Sequence, residues 1–99
     1  MDKKLKAKWV KALRSGKYKQ GQCSLYKKKE KAYCCLGVLG RVMGKTAASL
    51  GNAKNEPASG MTPKSWRVID PDRVDALISM NDHQSRPFGE IADYIEANL

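Results

Sequence analysis

The chain has a single histidine, His83, only three cysteines, and no apolar run approaching the roughly 18 residues of a membrane span. Each scarcity removes a class of function. An odd cysteine count, with two cysteines adjacent at Cys34 and Cys35, makes no disulfide framework and points to a reducing compartment. The lysine-rich N-terminus is followed by no apolar segment of the kind a secretory signal carries, so a cytoplasmic protein with no membrane partner is expected. A thiol nucleophile would have only His83 as its imidazole base. Cys23, Cys34, Cys35 and His83 could in principle supply tetrahedral zinc, but paired zinc cysteines usually stand about two to four residues apart, and these do not. Neither a P-loop nor a dinucleotide-binding glycine fingerprint is present. A Cys/His enzyme or zinc module is therefore the remote alternative, and no catalytic residue, metal or cofactor is expected.

Acidic residues are also scarce, and unevenly so. Residues 1–61 carry fifteen Lys and Arg against three acids, whereas 62–99 carry four against seven. The basic first half is the candidate surface for a polyanion. A solvated face that keeps a small protein soluble is the plainer account of the same charges.

What is present in strength is one buried segment. From Tyr33 to Gly44 the residues Cys34, Cys35, Leu36, Val38, Leu39, Val42 and Met43 are apolar in nearly every helical direction, as in an element covered on several sides. Gly37, Gly40 and Gly44 recur along it, so another backbone is expected to approach one side closely, offsetting about 1 kcal/mol per interior glycine. Before it, Asp2 caps a helix from Lys3 whose apolar face is Leu5, Trp9, Ala12 and Leu13, with Ser15-Gly16 as its stop. Lys17 to Gln22 reads as a connection. Cys23 to Tyr26 and Ala32 to Cys34 read as a short hairpin around a lysine-studded tip. Lysines interleaved with Tyr18, Tyr26 and Tyr33 suit a nucleic-acid strand, whose phosphates seek mobile cations and whose bases seek flat faces. Tip lysines also protect a strand edge from pairing with neighbours.

Residues 45–64 are rich in Ala, Ser, Gly and Asn and read as a long loop, with a short helical turn near Thr46 to Leu50. Asp70-Pro71 opens a helix whose buried side is Val74, Leu77 and Ile78, and Asn81-Asp82 should end it. A last helix is expected from Phe88 to Asn98, its acids available to the cations of the first. The fold class is thus α+β: one small helix-dominated domain over 1–99, about four helices around a central buried one, with one short β-hairpin.

Three stretches, Trp9 to Gly21, Tyr33 to Leu39, and Asn81-Asp82 followed by Phe88 to Glu96, together resemble a group of short proteins encoded by tailed bacteriophages and prophages. The resemblance implies a phage or prophage accessory protein in the cytoplasm of a bacterial host, acting by binding, and carries over no catalytic residues. Pro87 and Gly89 depart from its pattern, standing where a capping Ser and a better helix former are usual, so the start of the last helix should be looser. Two partners are expected in turn. The first is a nucleic acid or phosphorylated nucleotide on Lys8, Lys11, Arg14, Lys27, Lys28 and Lys29. The second is a host or defence-system protein that the chain would inhibit, docked through the aromatic anchors Trp66 and Tyr94 or the long loop.

Overall fold

The computed structural model describes residues 1–22, 25–50 and 67–99. In chain order its elements are α1 (Lys3–Arg14), β1 (Lys19–Gln20), β2 (Tyr26–Lys27), β3 (Ala32–Tyr33), α2 (Cys35–Val42), α3 (Ala47–Leu50), α4 (Pro71–Ile78), a π-helical turn (Ser79–His83) and α5 (Phe88–Asn98). The architecture is helix-dominated α+β in one small domain. The loop expected over 45–64 lies outside the described residues from residue 51 onward, and Cys23 and Trp66 lie outside them too.

α1 begins where its sequence requires. The Asp2 carboxylate accepts the Leu5 N–H at 2.8 Å, and Gly16, at φ +75, lets the chain leave. Trp9 is fully buried and donates its indole N–H to the Cys35 carbonyl at 2.9 Å. That bond ties the first helix to the start of α2 and satisfies the one polar atom a buried tryptophan brings.

α2 is buried from Cys35 through Gly40. It packs against α1 and α4, while α1 also packs along α5. Leu36, Val38, Leu39, Val74, Leu77, Ile91 and Ile95 are buried almost completely, each contributing about 1.5 to 3 kcal/mol. The glycines divide the work expected of them. A methyl on Gly37 would collide with the Leu25 carbonyl, whose carbon lies 2.8 Å from that position, so this glycine admits the hairpin's backbone. Gly44 instead sits at φ +93 and ends the helix.

Asp70 caps α4 by accepting the Asp72 N–H at 3.0 Å, with Pro71 in the first helical position. The helix does not stop at Asn81-Asp82. It widens into the π-helical turn, and Asn81 turns fully inward. Three strands form where one hairpin was expected, in the order β1-β3-β2. β2 and β3 are the antiparallel hairpin, shorter than its apolar pattern suggests; β1, expected to be connection, pairs parallel to β3.

Candidate functional site

The register of this small sheet sorts its side chains. Lys19 and Lys27 both pair with Ala32, whereas Gln20 and Tyr26 both pair with Tyr33. Register partners share a side of a sheet and successive residues alternate. Lys19, Ala32 and Lys27 therefore take one side, and Gln20, Tyr33 and Tyr26 the other. Tyr18 joins the second group from just before β1.

The three tyrosines make a continuous row. The Tyr18 and Tyr33 rings meet edge to face, centroids 5.3 Å apart at 85°, and Tyr26 lies against Tyr33 at 4.7 Å and 39°. All three are half-buried and lean on the core. Cations border the row. The Lys17 ammonium stands 5.9 Å from the Tyr18 ring centroid, within cation–π reach. Arg41, from α2, is close enough for its charge to act on Tyr33: burial raises that phenol above its ordinary 10.0 and the guanidinium opposes the rise. Tyr33 thus keeps its proton at neutral pH.

A buried polar hub fixes β1 in place. Asn81, with no exposed surface, donates to the Gly21 carbonyl and to Asp82 Oδ1, each at 2.8 Å. Its own side-chain oxygen accepts from the Cys35 N–H and from Gln20 Nε2. Gln20 also donates to the Arg86 carbonyl at 2.6 Å, and its side-chain oxygen accepts the Phe88 N–H at 3.2 Å. The cap missing at Pro87 is therefore supplied from β1. Gln22 adds bonds to the Asn81 carbonyl and to the Ser85 hydroxyl.

The residues singled out from sequence fall in different places. Lys8 and Lys11 are exposed on the outward side of α1, Lys28 and Lys29 are exposed on the hairpin tip, and Lys27 is half-buried on β2. None of these five makes an ion pair among the described residues. Arg14 is engaged: its two terminal nitrogens each lie 2.6 Å from a carboxylate, one of Asp93 and one of Glu96. Those bonds raise its pKa further and join α1 to α5. Tyr94 is half-buried and accepts a hydrogen bond from Arg73 at 2.9 Å. Both Cys34 and Cys35 are buried, and desolvation pushes the Cys34 thiol up to about 12. His83 is exposed. Among the described residues no cluster of His, Cys, Asp and Glu side chains is placed to hold a metal ion.

A family model described as a domain of unknown function, DUF8296, matches residues 1–75. The chain belongs to that family. The matched residues hold the whole tyrosine row together with Lys17 and Arg41, while the Asp93 and Glu96 that engage Arg14 lie beyond them. No curated protein and no solved structure matches the chain.

Lys17 and Arg41 were not among the residues picked from sequence. Lys17 sat next to a tyrosine already noted, which was a usable signal. Arg41 lies eight positions past Tyr33 on a helix read as buried throughout, and nothing local marks its charge as acting on that phenol.

Proposed function

We propose that the protein is a non-enzymatic accessory protein of a phage or prophage that binds a single-stranded nucleic acid across its tyrosine row. The observation that carries this reading is the convergence of Tyr18, from just before β1, with Tyr33 of β3 and Tyr26 of β2 into one aromatic row, with Lys17 against Tyr18 and the charge of Arg41 acting on Tyr33. Bases stack on such rings with little regard to sequence, at about 1 to 3 kcal/mol per base, while neighbouring cations track the phosphates. Lys8 and Lys11 stand on the helix that ends four residues before Tyr18 and extend the positive surface. The lysines of the hairpin tip add more charge but no ring.

The test is fluorescence anisotropy with a labelled single-stranded oligonucleotide over a range of salt. Affinity should fall with salt at a slope of about −0.7 per phosphate contacted, and Tyr26→Ala or Tyr18→Ala should weaken it at every salt concentration. Binding indifferent to both salt and tyrosine replacement rejects the reading.

A second reading, docking on a host or defence-system protein, draws on a groove of about 690 Å³ between α1 and the end of α5. Its floor is Ala7 and Val10, and its rim is Lys3, Lys6, Lys11, Ser15 and the Arg14–Glu96 pair. An acidic segment carrying apolar side chains fits such a lining. Capture from nuclease-treated host lysate, lost on Ala7→Glu, would favour it over nucleic acid.

A further inference from the structure

At the sheet, lined by none of the tyrosines, lies a cleft of about 400 Å³, within the range of small-molecule sites. Lys19 and Lys27 flank it, Ala32 lies between them, and Gln20, Gln22, Glu30 and Ser85 add to the walls. The cleft exists because its floor is small. Gly21 continues the β1–β3 pairing, its N–H donating to the Tyr33 carbonyl at 2.7 Å, and a methyl on Gly21 would lie 2.9 Å from the Ala32 methyl. Any larger residue at either position would fill the space.

We propose that this cleft binds a nucleoside 5′-monophosphate group, its phosphate held between Lys19 and Lys27 and its ribose hydroxyls on Glu30. Both lysines pair with the same residue, Ala32, from opposite sides, so their backbones stand about two strand spacings apart, near 10 Å. Long side chains starting that far apart can close on one dianion. Neither makes an ion pair among the described residues, so both charges are available. Ser85 accepts a hydrogen bond from Gln22 at 2.8 Å, which leaves the hydroxyl proton to point at a phosphate oxygen. Its backbone, at φ +50, is in a region that residues other than glycine seldom occupy, and the Gln22 bond holds it there. Glu30 is unsuited to a bare phosphate. Beside two lysines it suits a ligand with an anionic end and a hydroxyl-bearing end, as a nucleotide has. The group could belong to a free mononucleotide or to the 5′ end of a strand, and its chemistry is the same in both.

Because the cleft and the tyrosine row are built from different residues, the two proposals can fail separately. Adenosine 5′-monophosphate, adenosine and inorganic phosphate are titrated against the full chain by heteronuclear NMR. In parallel, one oligonucleotide is compared with and without its 5′-phosphate by anisotropy. The monophosphate should shift the amides of Gly21, Ala32 and Ser85 saturably, and should bind about tenfold tighter than adenosine. Lys19→Gln, at an exposed position, and Lys27→Gln, at a half-buried one, should each remove most of that advantage, and Ala32→Leu should block the cleft. Glu30→Gln should weaken the monophosphate and leave inorganic phosphate no weaker. A gain confined to the free monophosphate assigns the site to mononucleotides, and one confined to the 5′-phosphorylated strand assigns it to strand ends. Equal affinity for adenosine and its monophosphate, together with no gain from the 5′-phosphate, overturns the proposal. So does binding that survives both lysine changes. Tyrosine-dependent binding of the unphosphorylated strand is read in the same experiment and reports on the proposed function alone.

Discussion

Gln20 caps a helix that begins at Phe88: its side-chain oxygen accepts the Phe88 N–H at 3.2 Å across 68 residues of sequence. Its amide nitrogen donates to Asn81 and to the Arg86 carbonyl. One side chain thus joins the first strand, the π-helical turn and the last helix. Gln20→Ala should cost about 1 to 3 kcal/mol in urea unfolding and speed hydrogen exchange at the Phe88 amide. Asn81→Ala, which strands the Gly21 carbonyl and the Cys35 N–H, should cost about 3 kcal/mol. The two changes share a bond, so the double variant should lose less than the sum. Strict additivity would show that the hub is not one unit.

The two glycines Gly37 and Gly89 should respond oppositely to alanine. At Gly37 the new methyl meets the Leu25 backbone, which cannot rotate away, and a loss of about 3 kcal/mol or more is expected. At Gly89 nothing lies within 4 Å and the residue is helical, so Gly89→Ala should stabilise by up to about 1 kcal/mol. Thermal melts of the two variants decide it. A tolerated Gly37→Ala would mean that the hairpin does not rest on α2.

Alkaline pH should destabilise the fold through its thiols. Burial raises Cys34 from 9.0 to about 12 and raises Cys35 as well. In the unfolded chain each thiol ionises first, so this contribution is complete below about pH 9 and falls by up to about 1.4 kcal/mol per thiol per pH unit above it. It is exhausted once the native Cys34 thiol itself titrates near 12. Urea midpoints should therefore drop between about pH 8 and pH 10.5, and drop less in Cys34→Ala and Cys35→Ala than in the parent. Parallel curves would place both thiols in water.

Arg14 and Lys17 are close in sequence and should behave differently toward nucleic acid. Arg14 is held by Asp93 and Glu96, so Arg14→Gln should leave the salt slope of binding unchanged. Lys17→Gln and Arg41→Gln should each reduce that slope by about 0.7. A reversed ranking would move the contact surface onto the outward face of α1.

Legibility followed the range of the interactions involved. Asp2, Asp70 with Pro71, and the apolar stripe of Phe88, Ile91, Ala92 and Ile95 act within a turn or two, and α1, α4 and α5 were readable from them. β1 was not readable. Lys19 and Gln20 are polar, the strand is two residues long, and its partner is the far strand of the hairpin, past β2 and the tip. The π-helical turn was hidden for a related reason, since Asn81 turns inward to meet Gly21, Gln20 and Cys35, none of them local to it. Tyrosines and lysines were visible as an interleaved composition. Their convergence into a row depends on the parallel pairing of β1, and so did not show.

The pairing of α1 with α5 has a temporal side. Val10 and Leu13 belong to the same core as Ile91 and Ile95, and Lys6 reaches the Glu96 carbonyl at 3.1 Å. Because synthesis runs from α1 to α5, the flank of α1 that meets α5 is covered only after the eleven residues of α5 have been made.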